Sequence, residues 1–115
     1  MKYNGLKVKK EKWLGKGFQL CVTNGEKRAV YTSSFLKQIL KDSVNQEIEL
    51  NTFGTAAICA YAFNLDEAYF SADDVKIFKN CSFMIDNNTL SLCYNNFKEY
   101  LHIPLAKIWQ DKFKL

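Results

Sequence analysis

Residues 81–103 constrain the fold more than any other stretch of the chain. Cys81, Phe83 and Ile85 recur at every second position, and Leu90, Leu92 and Tyr94 do so again after Asn87-Asn88. A period of two places each set on one face of a strand. Asparagine tolerates the left-handed backbone of tight turns, so Asn87-Asn88 predicts a two-residue hairpin. That register sets Ile85 against Leu90, Phe83 against Leu92 and Cys81 against Tyr94. With a loop over 95–98, Leu92 meets Leu101 and Leu90 meets Ile103. Three strands then share one apolar face, a β-meander that needs a second layer to cover it.

A second hairpin is predicted nearer the start. Phe18, Leu20 and Val22 alternate up to Asn24-Gly25, a strong short-range hairpin signal. A two-residue loop there pairs Val22 with Lys27, Leu20 with Ala29 and Phe18 with Tyr31, one apolar ladder. Leu6 to Lys12 alternates weakly and reads as an edge strand whose lysines discourage pairing with another chain.

Thr32-Ser33-Ser34 offers N-cap side chains, and Phe35, Leu36, Ile39 and Leu40 follow at helical spacing, with Lys41 near the C-terminal end. A helix from about Ser34 to Ser43 is expected. Glu47 to Leu50 alternates as a half-buried strand. Thr52 to Thr55 reads as a turn, and the apolar run from Ala56 to Phe63, where periodicity does not separate strand from helix, reads as a central strand by its length and flanks. Asn64 with Glu67, and Ser71 with Asp74, have capping-box spacing. Pro104 suits the first turn of a closing helix with Leu105, Ile108, Trp109 and Phe113 on its buried stripe. No linker or repeat interrupts the 115 residues. The expectation is a single α+β domain over 1–115: a mainly antiparallel sheet, built from the N-terminal hairpin and the C-terminal meander, with two helices packed on it.

Charge is unevenly distributed. Residues 1–28 hold eight basic and two acidic residues, whereas Ser43 to Val75 contains no Lys or Arg but six acids: Glu47, Glu49, Asp66, Glu67, Asp73 and Asp74. This asymmetry predicts one basic and one acidic surface. Lysine outnumbers arginine 15 to 1 and asparagine is abundant, the bias of an AT-rich bacterial genome or of a phage or mobile element within one. No apolar run is long enough for a membrane span, and the first residues lack a secretory leader, so a cytoplasmic protein is expected.

Enzyme chemistry finds little support in the residues. The four cysteines are too widely spaced for a zinc clamp or a redox dithiol and read as small buried hydrophobes. The meander register brings Ser91 beside His102, the only histidine, but leaves Asp86 two strands away from it. A nucleophile–base pair needs a third group to orient the base. No phosphate loop, dinucleotide fingerprint or HExxH motif is present. No cofactor and no metal are expected.

Two binding functions remain. The first is a small protein-binding inhibitor or adaptor whose acids, Glu47, Glu49, Asp66, Glu67, Asp73 and Asp74, dock on a basic groove such as that of a nucleic-acid-handling host defence protein. The alternative is single-stranded nucleic-acid binding by Lys7, Lys9, Lys10, Lys12 and Arg28 with Trp13 as a stacking surface. Pairing of two copies through an edge strand or the outer face of the meander is a third possibility.

Overall fold

The computed structural model describes residues 4–12, 17–79, 81–94 and 99–113. Among these residues seven strands and four helices follow in the order β1 (Leu6–Lys12), β2 (Phe18–Thr23), β3 (Arg28–Thr32), α1 (Ser33–Asp42), α2 (Thr52–Ala62), β4 (Glu67–Phe70), α3 (Ala72–Lys79), β5 (Ser82–Asp86), β6 (Thr89–Tyr94), β7 (Glu99–Pro104) and α4 (Lys107–Phe113). The class is α+β, with two antiparallel sheets where the sequence suggested one. Sheet A has the order β3-β2-β1-β4 and sheet B the order β5-β6-β7.

The meander forms as its alternation requires. Ile85 pairs with Leu90, Phe83 with Leu92, Leu92 with Leu101 and Leu90 with Ile103. Asn87 and Asn88 both have positive φ, the conformation a tight turn needs. The loop over 95–98 lies outside the described residues.

The largest difference from expectation is α2. Residues 56–63 are not a strand: an eleven-residue helix runs from Thr52 to Ala62, and everything from Gly54 to Ala62 is buried. Asn51 caps it, its Oδ1 accepting from Gly54 N at 2.7 Å. A helix apolar on every side belongs inside a core, and alanine at 56, 57, 60 and 62 costs no side-chain entropy there. One cluster joins α2 to Leu6, Val8, Leu20 and Val22 of sheet A, Leu36 and Leu40 of α1, and Phe83, Ile85, Leu90 and Leu92 of sheet B. Each fully buried Leu, Ile or Phe in it stabilises the fold by roughly 1.5–3 kcal/mol.

Four further expectations are corrected. β1 is an interior strand, paired with β2 on one side and β4 on the other. The first hairpin pairs Val22 with Ala29 and Leu20 with Tyr31, two residues away from the two-residue-loop register. The cause is Asn24, whose side chain accepts from the backbone N–H groups of Glu26 and Lys27 and so stabilises a longer loop. A slip of two keeps every side chain on its face. Glu47–Leu50 is not a strand, but its neighbourhood supplies isolated bridges from Val44 to Ile85 and from Ile48 to Phe83. Finally, Pro104 ends β7; among the described side chains of α4 Trp109 is buried and Ile108 is about half exposed, while the Phe113 side chain lies outside those described.

Of the two capping boxes, Ser71 with Asp74 is realised: each backbone N–H meets the other residue's side chain, at 3.1 and 3.3 Å. Asn64 instead follows α2 with φ of 58°, and Glu67 begins β4.

Candidate interaction surface

Sheet A turns one face to the helices and the other outward. On β1, Leu6 and Val8 are buried while Lys7 and Lys9 are exposed. Because paired residues share a face, the outer side carries Lys7, Lys9 and Glu11 of β1, Gln19, Cys21 and Thr23 of β2, Arg28, Val30 and Thr32 of β3, and Glu67 and Tyr69 of β4. Exposure of Tyr69 (58%) and Val30 (42%) shows that no described element covers this face. An uncovered sheet face presenting an aromatic and a β-branched side chain differs from the polar face that solvent alone would favour.

The charges on it are tied to one another. Arg28 lies along the strands: its Nε donates to Cys21 Sγ at 2.8 Å, and its Nη2 reaches Glu11 Oε1 at 3.2 Å. The contact with Cys21, and then the nearby Glu11 carboxylate, hold the guanidinium pKa above its ordinary value. Glu11 also accepts from Gln19 Nε2 at 3.0 Å. Lys9 stands opposite Glu67 and Lys7 opposite Tyr69. Gly5, just before β1, is required for this edge to close. A Cβ there would collide with the Phe70 carbonyl and lie 2.8 Å from the Tyr69 hydroxyl oxygen.

The basic residues therefore do not form one patch. Lys7 and Lys9 face outward with Arg28, but Lys10 and Lys12 alternate to the other side. There Lys10 Nζ sits 4.2 Å from the centroid of the Phe18 ring and 3.5 Å from Asp66. Trp13 lies outside the described residues.

The acids are also divided, into three pairs. Asp66 and Glu67 meet the lysines of β1. Asp73 and Asp74 open α3, where carboxylates suit the helix dipole and Asp74 completes the capping box. Glu47 and Glu49 line a cleft of about 220 Å³ with Ile48 and Ser82, and Glu47 accepts from the Ser82 hydroxyl. β4 returns two of the six acids, Asp66 and Glu67, to the side of β1, so these two stand among the lysines and not apart from them.

On the outer face of sheet B, Ser91 Oγ and His102 Nδ1 are 2.9 Å apart, as the register required. Asp86 pairs with Thr89 at the far strand, across β6 from His102. All four cysteines are free thiols and buried. Burial pushes Cys81 up to about 11 and raises Cys59 further still, the opposite of nucleophile activation. Among the described residues no group of three His, Cys, Asp or Glu side chains is placed to hold a metal ion, and no helix is long and apolar enough to cross a membrane.

Sequence reasoning missed Tyr69 and Val30. The signal for Tyr69 was present: Glu67 and Tyr69 alternate with the inward Ala68 and Phe70. Compared with known proteins, the chain matches no family model, no curated protein and no solved structure.

Proposed function

We propose that this chain is a non-catalytic protein-binding module, an inhibitor or adaptor, that docks through the outer face of sheet A. The observation that supports the reading is the make-up of that face. Tyr69 and Val30 are exposed among charges of both signs: Lys7, Lys9 and Arg28 against Glu11 and Glu67, a net of one positive charge. Aromatic anchors within paired charges are what protein interfaces use. A phosphate backbone needs a groove of one sign, and single-strand binders depend on it. Here Glu11 holds Arg28, and Glu67 stands beside Lys9, which lowers the field a phosphate would meet. The codon-like bias supports an origin in an AT-rich bacterium or its phages, with a cytoplasmic host protein as the target.

The test combines two readings. Affinity capture from the source cell is quantified for the wild type and for Tyr69→Ala, and labelled single-stranded DNA and RNA are titrated across a salt series. A protein retained by the wild type and lost from Tyr69→Ala supports the proposal. Micromolar oligonucleotide binding that weakens steeply with salt and disappears in Lys7→Gln/Lys9→Gln overturns it.

A further inference from the structure

The four sheet edges are treated differently, and the difference singles out β3. In an antiparallel ladder, alternate residues direct their N–H and C=O groups to opposite neighbours. On β5 the outward groups belong to Phe83 and Ile85. Phe83 exchanges bonds of 2.9 Å with Ile48 in both directions, Ile85 N donates to Ser43 O at 2.7 Å, and Asn45 N donates to Ile85 O at 2.9 Å. That edge is closed. On β7 the two-residue turn fixes the outward set as Tyr100, His102 and Pro104, and Pro104 has no N–H to offer, a common way of blunting an edge. β4 is only four residues long and begins on the charged Glu67.

β3 also begins on a charge, Arg28, but is one residue longer than β4 and carries no other of these protections. The bond from Asn24 N to Lys27 O fixes the ladder so that Ala29 and Tyr31 point to β2. Arg28, Val30 and Thr32 therefore direct their backbone groups away from the sheet. No proline or lysine interrupts the strand, and no described segment pairs with it.

We infer that β3 pairs antiparallel with β3 of a second copy of this chain, joining two four-stranded sheets across a two-fold axis at Val30. The side chains are self-complementary in that register. On the outer face Val30 meets the partner's Val30, a β-branched cross-strand pair, and Arg28 meets the partner's Thr32, so no like charges face each other. On the inner face the small Ala29 meets the partner's Tyr31 and the reverse. The half-exposed Tyr31–Phe35 stack, with centroids 6.0 Å apart, lies at this same edge. Four backbone bonds form: two between the Val30 residues, and one from each Thr32 N–H to the opposite Arg28 carbonyl. The Thr32 carbonyl is committed to α1, whose N-cap it is. A closed two-fold contact uses up both edges and stops there. The inference is argued from the backbone edge of β3 and does not depend on the proposed function; Val30 and Arg28 belong to both surfaces, while Tyr69 lies on β4 at the opposite edge of sheet A.

The test is sedimentation equilibrium of the whole chain over a concentration series, with Val30→Pro and Val30→Lys. Proline at 30 removes only an outward N–H and leaves the β2 ladder intact. Lysine at 30 sets two ammonium groups against each other on the axis. The wild type is expected to double its mass with micromolar affinity, and each folded variant to remain a single chain with unchanged circular dichroism. If Val30→Pro fails to fold, Val30→Lys decides alone. A wild type that stays a single chain at millimolar concentration overturns the inference, as does self-association that persists in a folded variant.

Discussion

Trp109 is the residue through which α4 joins the core, and its removal has a calculable consequence. The indole is 5% exposed, stacks on Tyr61 with ring centroids 4.5 Å apart, and donates from Nε1 to the Tyr61 carbonyl at 2.6 Å. Two backbone bonds, Ala106 N to Ala62 O and Leu105 N to Asn88 O, both at 3.0 Å, and the buried Leu105 add to the attachment. A seven-residue helix does not persist without such packing. Trp109→Ala deletes a large buried side chain and should cost about 3–5 kcal/mol. Trp109→Phe keeps a ring over Tyr61 and loses one hydrogen bond, worth about 1 kcal/mol, together with some packing. The Tyr61 carbonyl is not orphaned in that variant, because Asn64 N also donates to it at 2.9 Å. Its total cost should therefore be near 2 kcal/mol. Urea denaturation followed by far-UV circular dichroism separates the cases. With a slope of about 1–3 kcal/mol per molar, the alanine variant should lose roughly 2 M in midpoint. A loss below about 1 kcal/mol for Trp109→Ala would refute the assignment of α4 to the cooperative core. Equal losses for the two variants would refute the claim that the stack outweighs the hydrogen bond.

Other consequences follow from single contacts. Gly5→Ala should cost about 1–3 kcal/mol in the same assay, because the new methyl meets the Phe70 carbonyl and the Tyr69 hydroxyl. Asn51→Ala removes the α2 cap and its 3.2 Å bond from the Tyr31 hydroxyl, and should cost about 1–2 kcal/mol. A neutral result would mean that α2 is held by packing alone. Alkaline pH should destabilise the fold. Burial raises the Cys81 thiol from 9.0 to about 11 and the Tyr61 hydroxyl from 10.0 to about 12. The unfolded chain loses these protons first, so stability is full below pH 9 and falls progressively from pH 9 to 12. Tyr61→Phe should flatten the part above pH 10, and a midpoint constant up to pH 12 would contradict the burial of both groups.

How much was legible varied with how local the determinant was. The meander was readable because alternation and the Asn87-Asn88 turn together fix its register. The Asn24-Gly25 hairpin was recognised but mis-registered, since the side-chain bonds of Asn24 lengthen the loop. α2 was missed for a physical reason: a helix buried on all sides has no amphipathic period, and Gly54 beside Asn51 reads equally as a turn. The candidate interaction surface was least legible. Lys9 and Glu67 are neighbours only because β4 crosses back to pair with β1, a non-local choice that no spacing reports. Grouping charges along the chain therefore missed that Glu67 shares a face with Lys7, Lys9 and Arg28.

Photocrosslinking from position 69 tests the central claim most directly. A photoreactive amino acid replaces Tyr69 in cells of the source organism, and a second chain carries it at the exposed Gln38 of α1. The account predicts a discrete protein adduct from position 69 that is absent from position 38. Adducts of equal yield from both positions, or crosslinks from position 69 to nucleic acid alone, would contradict a protein-docking face on sheet A.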